Sequence, residues 1–194
     1  MYPKVIENLI ESFMVMPGVG RKTAERYVLH LLDLQKETSI DMAKALIDLT
    51  ENIQECTQCH NFAEDTLCEI CKDKRRDQNK ICVVSSAKEV ASIEKTQQFH
   101  GLYHVLGGYI STRKGIMPDD LNINDLEKRI TQDTEIILGL NATVEGETTA
   151  LYLAKKYGEK ANITRLAFGL PIGGQLDYAD DLTLPKPFEG RKKM

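Results

Sequence analysis

Four of the chain's five cysteines fall within the sixteen residues CTQCHNFAEDTLCEIC, from Cys56 to Cys71. Cys56 and Cys59 form one C-x2-C knuckle, Cys68 and Cys71 form a second, and eight residues separate them. Two tight turns that face each other bring four thiolates around one point, which is the donor set of a tetrahedral zinc site. Cys56 to His60 also matches the C-x-x-C-H haem-attachment pattern, but that reading leaves the second knuckle unexplained. A thioredoxin-like redox site needs only one pair. With all four positions filled by protein there is no open position for water or substrate, so the expected metal is structural, one zinc per chain. His60 is then a bystander. Binding of zinc to such a set supplies on the order of 10 kcal/mol, enough to order a segment that has almost no apolar core. Cys82, in the apolar run KICVVSS, reads as a small buried core residue.

A second group of residues suits phosphate binding. Upstream of the cysteines, Val5, Ile6, Leu9, Ile10 and Phe13 recur at helical spacing, Pro17-Gly18-Val19-Gly20 breaks the pattern, and Ala24, Tyr27, Val28, Leu31 and Leu32 resume it. The spacing predicts helix, glycine turn, helix. Gly18 and Gly20 allow backbone conformations that other residues resist, and they open the first amides of the second helix to an anion. Arg21 starts that helix, and Lys22 and Arg26, four apart, share one of its faces. GVGRKTAERY therefore looks like a helix-hairpin-helix that grips nucleic-acid backbone, against the plainer alternative of a helical corner. A Walker P-loop would need glycines where Met16 and Arg21 stand. A third helix is expected with Ser39 as N-cap and Ile40, Ala43, Leu46, Ile47 and Leu49 on one face. After the knuckles, KDKRRDQNK at 72 to 80 carries five basic and two acidic residues. Such a run is ordinarily a solvated face, and beside a hairpin Arg75 and Arg76 become secondary phosphate candidates.

From residue 80 the pattern changes. ICVVSS, HVLGGYI, EIILGL and NITRLAF read as strands, with helices expected at 87 to 97, 124 to 132 and 146 to 157. Such alternation predicts a mainly parallel sheet covered on both faces, with sites at the strand carboxyl ends, here Val84-Ser85 and residues 140 to 147. A chain of 194 residues can bury a core and hold one large or two to three small domains without covalent staples. Glu7 and Glu11 do not suit a signal peptide, and no apolar run reaches membrane-spanning length, so a cytoplasmic protein with no membrane partner is expected. The net charge of -4 argues against a wholly basic nucleic-acid binder but leaves room for local basic patches.

Taken in order, YPKVIENLIESF, MPGVGRKTAER, the cysteine knuckles with KDKRRD, YHVLGGYIS, NATVEGETTALYLA, RLAFGLPIGGQLDYADDLTL and the closing EGR resemble the RecR family of bacterial recombination mediators over nearly the whole chain. The resemblance implies an α+β multidomain fold. Its parts are a helix-hairpin-helix at 1 to 54, a C4 zinc finger at 55 to 72, an α/β Toprim domain at 79 to 174 and a C-terminal assembly segment at 175 to 194. It further implies homotetrameric rings that can encircle DNA and act with RecO, and in many bacteria RecF, to load recombinase on gapped DNA. Phe168 and Gln175 stand where the family usually has His and Asp.

Catalytic Toprim domains carry a Glu after the first strand and a D-x-D-x-x-G motif after a later one, so that carboxylates hold Mg2+. The matching positions here are Ser85, Asn141 and Thr143, with Gly146 retained. Neutral oxygens hold Mg2+ weakly and none of the three is a general base, so a noncatalytic adapter is expected. Glu145 and Glu147, at a helix start, are either dipole partners or, as the resemblance suggests, part of an acidic face that meets RecO. The alternatives are a metal-dependent Toprim nuclease or topoisomerase-like enzyme and an RNA-binding zinc module, the latter sensitive to loss of 2′-hydroxyls.

Overall fold

Helical periodicity and glycine punctuation organise the first fifty residues in the computed structural model, which describes residues 2–167 together with 169, 170, 173, 187 and 190. The expectations for Phe168, Gln175 and the C-terminal assembly segment lie outside the described residues. The chain divides into two compact units, Met1–Ile53 and Gln54–Met194.

In the first unit α1 (Lys4–Met14) and α2 (Arg21–Asp33) flank the glycine turn. Ile10, Ala24 and Val28 form the buried centre, and Tyr2, Ile6, Phe13 and Val19 pack around it. Phe13 meets Tyr27 edge to face, with ring centres 5.8 Å apart. The third helix, α3 (Lys36–Asn52), begins before the expected cap. Ser39 lies inside it and its hydroxyl donates to the Leu31 carbonyl at 3.2 Å, a side-chain to backbone bond that serves the connection to α2 and not the start of α3. The apolar residues read onto one face of α3 are exposed, with Ile40, Leu46, Ile47 and Leu49 between 43% and 58% accessible.

The second unit opens with a two-stranded antiparallel ribbon, β1 (Gln54–Glu55) and β2 (Phe62–Ala63), followed by the single turn α4 (Glu69–Lys72). Then come β3 (Asp77–Val84), α5 (Ala87–Glu94), β4 (Gly101–Val105), α6 (Ile123–Glu127), β5 (Glu135–Leu138), α7 (Val144–Tyr157) and β6 (Asn162–Arg165). The four long strands form an all-parallel sheet in the order β4-β3-β5-β6. Alternation along the strands sorts the core onto its two faces. Ile81, Val83, Leu102, Ile136 and Leu138 meet Ile123, Leu126, Leu153 and Tyr157 of α6 and α7, while Cys82, Val84, Tyr103 and Val105 meet Val90 of α5. Cys82 is buried as expected, and burial pushes its thiol up to about 12.

The stretch HVLGGYI is a strand only to Val105. Gly107 and Gly108 have φ of +83° and +159°, backbone that ends an extended run, and the strand instead reaches back to Gly101. The helix expected at 124 to 132 stops at Glu127. Among the described residues no helix is long and apolar enough to cross a membrane.

Candidate metal centre and nucleic-acid interface

The cysteine sulfurs come together because short backbone bonds close each knuckle. The Cys56 amide donates to the Asn61 carbonyl at 2.8 Å and the His60 amide to the Cys56 carbonyl at 2.9 Å, with His60 in left-handed backbone at φ +61°. Cys68 precedes α4, which carries Cys71. All four sulfurs lie within 4.8 Å of one another, and Cys59 and Cys68 approach to 3.5 Å. A zinc bound about 2.3 Å from each sulfur would require sulfur separations of about 3.8 Å, so the set fits the ion. Sulfurs this close share protons: the Cys59–Cys68 contact pushes the Cys59 thiol up and the Cys68 thiol down. A divalent cation replaces those protons with two positive charges on one ion.

His60 is not a fifth donor in this cluster. Its Nδ1 lies 3.4 Å from Glu55 and its Nε2 3.3 Å from Asp125, and its ring stands edge-on to buried His104 at 5.5 Å. The Val105 amide donates to the Cys59 carbonyl at 2.8 Å. The first knuckle is thereby fastened to the end of β4 and the start of the α6 region.

In the first unit, Gly18 has φ +77° and needs glycine for its conformation. Gly20 does not: its φ of -84° and ψ of 168° suit any residue, contrary to the expectation for both glycines. A Cβ at either position would meet nothing within 4 Å, so the turn presents open backbone next to the uncapped start of α2. Lys22 and Arg26 are exposed on one face of α2 and, among the described residues, have no carboxylate partner. Arg21 differs, since its guanidinium donates to Glu7 at 2.6 Å and lies 3.8 Å from Glu25. In the second unit Arg75 is 91% exposed and chelated by Asp73. Arg76 is only 16% exposed and is held by Glu94 and by the Gly101 carbonyl at 3.0 Å, while the Tyr103 hydroxyl donates to Glu94 at 2.6 Å. That arrangement ties the residues after α4 to α5 and β4.

At the carboxyl ends of the strands, Ser85, Asn141 and Thr143 do converge, and so does Glu89, which pattern reading passed over. Its carboxylate accepts from the Ser85 amide at 2.7 Å, the Ser85 hydroxyl at 2.9 Å, the Ser86 amide at 3.1 Å and the Asn141 side-chain amide at 3.4 Å. The spacing Ser86-x-x-Glu89, a capping-box pattern, is the signal that could have found it. Thr143 caps α7 by accepting from the Gly146 amide at 3.1 Å. Glu145 lies 3.8 Å from Arg113, and Glu147 accepts from Arg165 at 2.6 Å.

A helix-hairpin-helix unit, a four-cysteine centre and a four-stranded parallel sheet of Toprim type define a class of zinc-bearing, Toprim-containing proteins. Family models match in the same order: the RecR helix-hairpin-helix over 6–50, the RecR four-cysteine zinc finger domain over 53–73, the Toprim domain over 79–167 and the RecR C-terminal region over 169–192. The chain is 46% identical over 196 residues to the Recombination protein RecR of Natranaerobius thermophilus, covering 100% of this chain and 98% of that protein. The chain belongs to the RecR family. Cys56, Cys59, Cys68 and Cys71 are thus the donor set of one structural zinc.

Proposed function

We propose that this protein is a noncatalytic mediator of recombinational DNA repair that holds DNA by its backbone. The observation that carries the reading is the strand-end site. The positions where a Toprim enzyme needs carboxylates are Ser85, Asn141 and Thr143, and the nearby carboxylate, Glu89, is occupied by N–H and O–H donors. Such donors oppose Mg2+ coordination, which wants several free oxygen ligands. The DNA contact falls on the Gly18–Gly20 turn with Lys22 and Arg26, because their charges are free for phosphate. Arg21 can join by leaving Glu7, Arg75 is a peripheral contact, and Arg76 serves chiefly the Glu94 pair. A single hairpin of this kind binds DNA at roughly 10⁻⁴ to 10⁻⁶ M, so a homotetrameric ring presenting several hairpins gains effective concentration and can retain duplex topologically. Glu145 and Glu147 form the acidic surface for RecO, with RecF as a further partner where it is present, and the protein acts in the cytoplasm.

The test is retention of gapped DNA by wild type and by the double variant K22E/R26E. The variant should lose at least about tenfold in affinity, and the slope of log affinity against log salt should fall by about 2, one for each lost phosphate contact. Unchanged binding would remove the hairpin from the DNA interface. Magnesium-dependent nicking or relaxation by homogeneous wild type, lost in E145Q, would replace the adapter with an enzyme.

A further inference from the structure

Arg129 follows α6, and its half-buried side chain is held against β4 next to Val105, whose amide binds the Cys59 carbonyl of the first knuckle. Its Nη1 donates to the Tyr103 carbonyl at 2.6 Å and to His104 Nδ1 at 3.2 Å. The tautomer of His104 is set from its other side, where Nε2–H donates to the Asn122 carbonyl at 2.6 Å, leaving Nδ1 as an acceptor. His104 therefore brings no negative charge. Arg129 Nε and Nη2 are also buried and have no hydrogen-bond partner, and among the described residues no carboxylate forms an ion pair with the guanidinium. A buried cation left in that state would be strongly disfavoured. Burial does lower its pKa from the ordinary range, while the four cysteine sulfurs, Cys71 foremost, favour its charged form.

The metal set has the complementary problem. Four thiolates around one dication leave two negative charges uncompensated inside the fold. Arg129 is a cation with spare N–H donors in the same buried region. We propose that Arg129 is the counter-cation of the zinc tetrathiolate, offsetting part of its negative charge from β4 and so bolting the knuckles to the sheet. It is a positioning residue for the metal and not a ligand. This assignment is independent of DNA binding and of the adapter reading.

Two measurements on the full-length protein test it: the rate of zinc transfer to a chromophoric chelator, and the sulfur-to-metal charge-transfer band after cobalt(II) substitution. R129M should release zinc at least about tenfold faster, the scale on which outer-shell partners act on metal affinity. Its cobalt band should move to lower energy, because the sulfurs lose a positive neighbour. R129K keeps the charge and should recover most of both properties. An arginine that only fills space predicts a lower melting temperature in R129M with transfer rate and band within about twofold and within error of wild type, and that result overturns the proposal. Should R129M not fold, R129K decides: a folded, zinc-retaining R129K supports the assignment, and an unfolded one overturns it.

Discussion

His104 is buried between the Asn122 carbonyl and Arg129, and burial, the largest effect on it, lowers its pKa to about 4. In the unfolded chain the value is about 6.5. Between those two values the unfolded chain binds the additional proton, so stability is full above about pH 6.5 and falls as pH is lowered towards 4. Between pH 7 and pH 5 the wild type should lose about 2 kcal/mol more than H104Q in urea unfolding, with losses common to the zinc thiolates cancelling in the comparison. Equal losses would show that the imidazole does not enter the fold neutral. The same scale explains which binding residues were legible. The cysteines were, because ligand spacing is a property of neighbours in the chain. For Glu89 the local capping spacing marks only a helix start, and its place in the strand-end site depends also on Asn141, 52 residues away.

The elements that carry these residues are set by their ends, and their ends were the least legible part of the chain. The strand β4 stops where two glycines take positive φ, and α3 starts three residues before the serine that looked like its cap. The start of α7 rests on Gly146. A Cβ there would sit 2.1 Å from the Asn141 carbonyl oxygen, a backbone atom that cannot move without opening the turn. G146A should therefore lose about 1–3 kcal/mol of stability in chemical unfolding. G20A is the contrasting case, since its φ is ordinary and nothing lies within 4 Å of the new Cβ. Its stability should stay within about 0.5 kcal/mol of wild type while gapped-DNA affinity falls, because the added methyl stands where phosphate would approach the open backbone. A stable G20A that binds DNA normally would move the phosphate away from this turn.

For the whole molecule, the division into two compact units has a thermodynamic consequence. Only Gln54–Met194 carries the four cysteines, and zinc stabilises only the unit that binds it. Calorimetry with a strong chelator should lower the transition of that unit by more than about 10 °C and leave the transition of Met1–Ile53 in place. One transition shifting as a whole would mean that the units unfold together. The amino-acid sequence by itself determined the metal donors, the helix-glycine-helix punctuation, the alternation of strands and helices, and the absence of acids at Ser85, Asn141 and Thr143, since each is written in residue type and local spacing. Only the tertiary structure decided which charges are free. Arg21 is taken up by Glu7 fourteen residues away and Arg76 by Glu94 eighteen residues away, while Lys22 and Arg26 remain open and Arg129 is held by the Tyr103 carbonyl of β4. Ion pairing and desolvation depend on distance through space and on burial, and neither is encoded in the order of residues along a short stretch of chain.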